Sequence, residues 1–190
     1  MLTRRAIQRL GVSVLAFLAV AAPAIAQEPV SPYAGEEGRE IKALSPDQVS
    51  DLETGKGMGF AMAAELNHYP GPRHVLDMAD ELGLEPDVVA GVQAVFDAMQ
   101  ADAIRLGAQL IEAERELDRA FAERTIDEAR LAELTARSAV LEGELRAVHL
   151  AAHLSVTRAL TPEQIHAYDA KRGYGDGETH EHDAARHSGD

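Results

Sequence analysis

Two long stretches of the chain place apolar residues at alternating intervals of three and four, the pattern of helices that pack along a seam. The first predicts a helix from about Pro86 to about Glu123. Its seam consists of Phe96, Met99, Ala103, Leu106, Leu110, Ala113, Leu117 and Ala120. The second predicts a helix that ends near Leu160. Its seam consists of Leu131, Leu134, Ser138, Leu141, Leu145, Val148, Ala152 and Ala159.

The connection between these two helices is very short, so we expect them to be antiparallel neighbours. Shorter helices are predicted on both sides of them. One or two lie within 44–67, interrupted by glycines, and another lies within 74–82 after the Tyr69-Pro70-Gly71-Pro72 turn. A last short helix is predicted from Thr161 to about Ala170. The predicted fold class is therefore all-α: a long antiparallel helical hairpin with short flanking helices.

Helix starts are marked by a recurring five-residue box. In Leu160-Thr161-Pro162-Glu163-Gln164, Thr161 can cap the helix, Pro162 suits the first helical position, and Gln164 can reach back to the capping residue. Leu44-Ser45-Pro46-Asp47-Gln48 repeats the arrangement, with Ser45 and Gln48 in the reciprocal roles. Thr125-Ile126-Asp127-Glu128 is interpreted as a capping box that starts the second long helix.

The first 26 residues are typical of a signal peptide. Arg4, Arg5 and Arg9 precede an apolar run over 11–22, and Ala24-Ile25-Ala26 forms a small-x-small cleavage site. The apolar run is short for a membrane span, which needs about 20 residues. We therefore expect cleavage after Ala26, a periplasmic location and no membrane span in the mature chain. The general and twin-arginine export routes both stay open.

The remaining sequence divides by composition. Residues 27–43 are polar with prolines and glycines, and predict a flexible leader. Residues 44–172 form the predicted helical domain. Residues 173–190 predict a disordered tail rich in acids and histidines, namely His180, His182 and His187.

Composition excludes several classes of function. The formal net charge is −14 among 190 residues, which argues against binding to nucleic acid or to anionic lipid. There is no cysteine, so disulfides, thiolate metal sites and thiol nucleophiles are excluded. No phosphate-binding glycine loop, G-x-S-x-G or H-E-x-x-H motif occurs. We therefore expect a binding protein and not an enzyme.

Histidines on the second long helix are the strongest candidates for metal ligands. His149 and His153 are four residues apart, so they project from one helix face and can share an ion. His74 from a short helix, or Glu142 two turns before His149, can add a ligand. The metals that suit such a site are zinc, copper or nickel. The alternative interpretation is a half-exposed pair that forms local hydrogen bonds at a helix or dimer interface.

Methionines suggest a second set of metal donors. Met58 and Met62 are also four residues apart, with Met78 and His68 not far along the chain. Thioethers with imidazole suit Cu(I), whereas the alternative is that these methionines fill gaps in a helical core. The tail histidines, with Glu181 and Asp183, can bind zinc, nickel or copper weakly or can be a solvated end.

The boxes, the export signal and the cysteine-free hairpin together resemble the Spy/CpxP family of periplasmic chaperones, whose motif is Leu-Thr-x-x-Gln. A third box is expected before the first long helix, where the chain reads Leu84-Glu85-Pro86-Asp87-Val88 and lacks the threonine and the glutamine. The segment from Gly57-Met58-Gly59-Phe60 through Glu65-Leu66-Asn67, then Tyr69-Pro70-Gly71-Pro72 and His74-Val75-Leu76, resembles a heavy-metal sensor or resistance subgroup. The resemblance covers about residues 33–175.

The resemblance implies a curved antiparallel homodimer that binds unfolded envelope proteins without ATP, or that damps an envelope-stress sensor kinase. Leu150 and Leu154, which flank the seam, are the predicted client-binding residues. In the metal branch, helix histidines bind zinc, nickel, cobalt or copper. Members of the chaperone branch tend to have a basic concave surface, whereas this chain is acidic. A chaperone is therefore the first hypothesis, and a metal sensor or buffer is the alternative.

Overall fold

Two long helices joined by a tight turn form the frame of the computed structural model, which describes residues 31–174. The predicted signal peptide, the start of the leader and the tail histidines lie outside these residues. The helices are α1 (Pro46–Glu53), α2 (Met62–Glu65), α3 (Pro72–Asp77), α4 (Pro86–Ala122), α5 (Glu128–Ala159) and α6 (Pro162–Arg172). Within 31–174 there is no strand. The predicted all-α hairpin with short flanking helices is confirmed.

The turn of the hairpin spans only residues 123–127, which forces α4 and α5 to run antiparallel. Asp127 caps α5, because its carboxylate accepts a 2.8 Å hydrogen bond from the backbone N–H of Arg130. The predicted capping box at Thr125 is wrong. The helix begins at Glu128, so Thr125 lies too early to cap it, and its hydroxyl donates to the Ala120 carbonyl instead, at 3.4 Å.

Most of the predicted seam is buried between the two long helices. The buried seam residues are Ala103, Leu106, Leu110, Ala113, Ala120, Leu134, Leu141, Leu145 and Ala152. Leu131 is 39% exposed, and Ala159, the last residue of α5, is also exposed. Both lie close to an end of α5.

The first apolar cluster, the mid-hairpin core, fills the centre of the hairpin. Its buried members are Ile41, Leu52, Ala103, Leu106, Leu110, Ile111, Ala113, Leu141 and Leu145. Gly107 lets α1 approach α4 closely, because a Cβ atom there would overlap the Leu52 carbonyl oxygen. Ile41 is 2% exposed although the sequence placed it in the leader, so the packed part of the chain begins before Leu44.

The second apolar cluster, the open-end core, lies where α4 begins and α5 ends. Its buried members are Val75, Leu82, Val92, Val156, Leu160 and Tyr168. The third helix is shorter than predicted and shifted, since it starts at Pro72 and ends at Asp77. Hydrogen-bonded turns continue the chain to Leu84, where the Leu84 N–H donates to the Ala79 carbonyl at 3.0 Å.

Both capping boxes have the predicted reciprocal hydrogen bonds. The Gln48 N–H donates to Ser45 Oγ at 3.1 Å, and the Ser45 N–H donates to Gln48 Oε1 at 2.8 Å. The corresponding distances for Thr161 and Gln164 are 3.3 and 2.9 Å. The Gln164 amide also donates to the Leu82 carbonyl at 3.5 Å, so this box fastens α6 to the segment after α3.

None of the helices within 31–174 combines the length and the apolar character that a membrane span requires. The observation concerns only this part of the chain.

Candidate functional site

The apolar packing of the hairpin is interrupted at one level, between the mid-hairpin core and the open-end core. Here α4 contributes Met99 and Gln100, and α5 contributes His149 and His153. These residues line a cleft of about 980 Å³, whose opposite wall comes from the segments around α2 and α3. His149 and His153 directly follow the seam residues Val148 and Ala152, and they line the cleft beside the seam.

His149 is the most deeply buried histidine of the cleft, with 3% of its surface exposed. Its ring stacks on Phe60 with the centroids 5.9 Å apart. The Nε2 atom is buried and has no hydrogen-bond partner in the protein. Burial, followed by the proximity of His153, lowers the pKa of His149 below its ordinary value of 6.5. The ring is therefore neutral at pH 7, and a neutral imidazole has a lone pair to offer.

His153 is 7% exposed and is held in a fixed orientation. Its Nδ1 lies 2.7 Å from the Tyr69 carbonyl oxygen, which can only accept a hydrogen bond, so Nδ1 carries a proton. In the neutral ring, Nε2 is then the nitrogen with the lone pair. Metal-binding histidines commonly donate one N–H to a backbone carbonyl in this way while the other nitrogen binds the ion.

Gly71 makes room for the His153 ring. A Cβ atom at this position would lie 2.9 Å from His153 Cε1 and 3.2 Å from Nε2. The glycine thus keeps clear the side of the ring that carries the free nitrogen. Its value here is its lack of a side chain, because its φ of −83° is accessible to any residue.

His74 lines the same cleft from α3, with 44% of its side chain exposed. Burial, and then the nearby Arg172, lowers its pKa below 6.5. The structure thus brings all three predicted ligands to one cleft. Among residues 31–174, however, no three His, Asp or Glu side chains are already arranged to hold a metal ion. A metal would have to draw the ligands together or use another donor type.

Glu65 is the carboxylate nearest to His153, with Oε2 at 3.8 Å from Nδ1. Its other oxygen, Oε1, accepts hydrogen bonds from Tyr168 at 2.7 Å, Arg172 at 3.1 Å and Tyr174 at 3.2 Å. Burial and the bond to Glu65 raise the pKa of Tyr168, so its hydroxyl stays protonated and donates. The carboxylate therefore fastens α6 to α2 and forms one edge of the cleft.

The basic side chains of the cleft are each paired with an acid. Lys56 lies 2.6 Å from Asp51, and Arg73 lies 3.4 Å from Asp77. Arg172 has Glu65 as its partner. The local charges therefore cancel in pairs, and the cleft lacks the concentrated negative charge typical of sites for hard divalent ions.

Other predicted site residues lie elsewhere. Glu142 is exposed and does not line the cleft. His68 pairs with Asp169 at 2.9 Å, and Met78 packs against the open-end core. Leu154 is 44% exposed and Leu150 is half-buried.

Met58 and Met62 do line the cleft, and Met99 joins them from the seam of α4. The sequence pattern assigned Met99 only to core packing. Its position along the hairpin was the available signal. Counted in residues, Met99 is as far from the end of α4 as the His149–His153 turn is from the start of α5, so the two lie side by side in an antiparallel pair. The antiparallel pairing of two seams thus identifies a donor that spacing along one helix does not.

Comparison with known proteins finds no matching protein family, no similar curated protein and no similar solved structure. The chemistry of the cleft is therefore inferred from the residues of this chain.

Proposed function

We propose that this protein is an exported helical-hairpin protein that binds a transition-metal ion in the cleft between the two cores, as a sensor or buffer of the metal. The observation that carries the proposal is the buried Nε2 of His149, which has no partner and belongs to a residue that lines a cleft also containing His153 and His74. Membership in the metal-binding branch of the Spy/CpxP family is part of the same proposal.

The energetics support a ligand at His149. An unpartnered polar group in a protein interior costs about 1–3 kcal/mol, whereas an apolar side chain of similar shape would cost nothing of this kind. A bound ion removes that cost, because the lone pair of the neutral ring gains a partner. His153 also has a nitrogen available for an ion. Its Nδ1–H donates to the Tyr69 carbonyl, so its Nε2 is left free.

The donor set fits first-row transition metals that accept imidazole, which include zinc, nickel and copper. When bound, such an ion supplies a charged centre that links α5 to the segments around α2 and α3. The contribution of the chain is to hold two imidazoles one helical turn apart and to shield them from water. Metal binding would then stabilise the folded protein by mass action.

The test is metal-dependent thermal stability in the full-length protein, with His180, His182 and His187 replaced by alanine so that the tail cannot bind. We expect Zn²⁺, Ni²⁺ or copper to raise Tm by several degrees relative to chelator, and His149→Leu to remove the rise. His166→Leu is the matched control, because His166 is exposed and does not line the cleft. A full rise in the His149→Leu variant would contradict the proposal.

A second candidate function is the holding of unfolded envelope proteins, with or without a homodimer. The observation that favours it is the exposure of apolar side chains on α5, with Val140 59%, Leu154 44% and Leu131 39% exposed. Weak apolar contacts of this kind can hold a client that has not yet buried its own core. The test is suppression of aggregation of a reduced, unfolding protein, with Leu150→Ser/Leu154→Ser as the variant. Failure to suppress aggregation at tenfold excess would contradict it.

A further inference from the structure

The cleft contains sulfur donors as well as imidazoles. Met58 and Met62 enter it from the segment between α1 and α3, and Met99 enters it from α4. Met62 is 59% exposed and Met58 is 36% exposed, so neither is used up in packing. The thioether of an accessible methionine is a soft metal ligand.

Hard oxygen donors are largely committed elsewhere. Oε1 of Glu65 already accepts three hydrogen bonds, and Asp51 and Asp77 are each paired with a basic side chain. Beside these paired groups the cleft offers imidazole nitrogen, thioether sulfur and one carboxylate oxygen, Glu65 Oε2, which lies 3.8 Å from His153 Nδ1. Thioether sulfur is a soft donor that suits Cu(I), and Cu(I) carries the lowest charge of the candidate ions.

We propose that the metal taken by this cleft is cuprous copper, held by His149 and His153 together with a thioether of Met62 or Met99. The inference rests on the proposed function and narrows it to one ion and one oxidation state. A site completed by sulfur needs only two imidazoles, which a single turn of α5 supplies.

The position of Met99 supports its inclusion. It lies on the seam of α4 at the level of the His149–His153 turn, as counted from the turn of the hairpin. It is half-buried and lines the cleft. Met62 lines the same cleft from α2, so the cleft receives methionines from two different helices.

The test is anaerobic competition for Cu(I) against a chromophoric chelator, with the full-length protein in the background that lacks tail histidines. We expect one Cu(I) per chain. Loss of a residue that only hydrogen-bonds to a metal ligand already lowers metal affinity about tenfold or more. Loss of the thioether ligands in the double variant Met62→Leu/Met99→Leu should therefore lower Cu(I) affinity at least about tenfold. Met78→Leu is the matched control, because Met78 packs against the open-end core. Zinc affinity should change little in all of these variants.

X-ray absorption of the unmodified, Cu(I)-loaded protein identifies the ligand atoms directly and does not depend on any substitution. A sulfur ligand together with nitrogen ligands supports the proposal, and nitrogen or oxygen ligands alone overturn it. Unchanged Cu(I) affinity in the double methionine variant also overturns it. Zinc or nickel binding that requires His149, without Cu(I) binding, overturns this inference and leaves the proposed function in place. No metal binding at all overturns both.

Discussion

The Tyr168 hydroxyl donates a 2.7 Å hydrogen bond to Glu65 Oε1 and so connects two residues 103 positions apart. Tyr168 has no exposed surface, and its oxygen also accepts from the Gly71 N–H at 3.3 Å. One hydroxyl thus joins α6, α2 and the turn before α3. The edge of the cleft depends on this junction.

Replacement of Tyr168 by phenylalanine keeps the ring and removes only the hydroxyl, with its hydrogen bonds to Glu65 and to the Gly71 N–H. We expect the free energy of unfolding to fall by about 1.5–3 kcal/mol, the range for a hydrogen bond to a charged group. Chemical denaturation measures this value. Tyr174→Phe is the control, because Tyr174 is less buried and its bond to Glu65 is longer, at 3.2 Å. Equal losses in the two variants would contradict the central role of Tyr168.

Gly107→Ala should destabilise the hairpin, whereas Gly143→Ala should stabilise it. A Cβ atom at Gly107 would lie 3.0 Å from the Leu52 carbonyl carbon, so α1 would have to move off α4. The cost of such overpacking is about 1–3 kcal/mol. At Gly143 a Cβ atom meets nothing within 4 Å, so the variant should gain about 0.5–1 kcal/mol from helix propensity. Thermal melts of the pair check both signs.

His149→Leu should leave the metal-free protein at least as stable as the unmodified one. Removal of the unpartnered Nε2 gains about 1–3 kcal/mol, and loss of the stacking on Phe60 costs about 0.5–1.5 kcal/mol. The expected net change is a gain of about 1 kcal/mol, measured by denaturation with chelator present. A loss of more than about 2 kcal/mol would show that the imidazole is a structural residue and not an unused ligand.

Acidification should destabilise the metal-free protein in the pH range where imidazoles titrate. Burial lowers the folded-state pKa of His149 and of His74 below 6.5, the ordinary value that applies in the unfolded chain. The unfolded state then binds more protons, so the free energy of unfolding falls as pH decreases from 6.5 through the lower folded values. Denaturation between pH 7 and 5 should show a shallower fall in His149→Leu than in His166→Leu.

Gly71→Ala should displace the His153 ring and weaken metal binding. The new Cβ would lie 2.9 Å from His153 Cε1 and 3.3 Å from Glu65 Oε2, while the Tyr69 carbonyl holds the ring on its other side. We expect a loss of about 1–3 kcal/mol in stability and a fall in metal affinity measured by competition. Unchanged affinity would mean that His153 is not a ligand.

The long helices could be predicted from sequence because their information is local. The three-four rhythm from Phe96 to Ala120 and the short turn determine α4, α5 and their antiparallel pairing. The capping boxes at Ser45 and Thr161 are equally local, since donor and acceptor lie three residues apart. Thr125 failed as a cap because Asp127, a stronger candidate, stands two residues later and directly before the helix.

The cleft could be predicted only in part, because its residues meet through tertiary packing. Spacing identified His149 and His153 as a pair, but their burial depends on the wall that Phe60 and Gly71 form opposite them. The sequence pointed to Glu65 only as part of a segment similar to the metal subgroup. Its role could not be predicted, because its partners Tyr168, Arg172 and Tyr174 come more than a hundred residues later.

The hydrogen bond between Glu65 and Tyr168 determines when, during synthesis of the chain, the edge of the cleft can form. A ribosome synthesises α2 long before α6, so an unfinished chain carries its histidines and methionines without the carboxylate junction that closes the cleft edge. The same order holds when a chain crosses a membrane from its N-terminus. The edge of the cleft that Glu65 and Tyr168 form is therefore complete only after α6 has been synthesised and has folded onto α2.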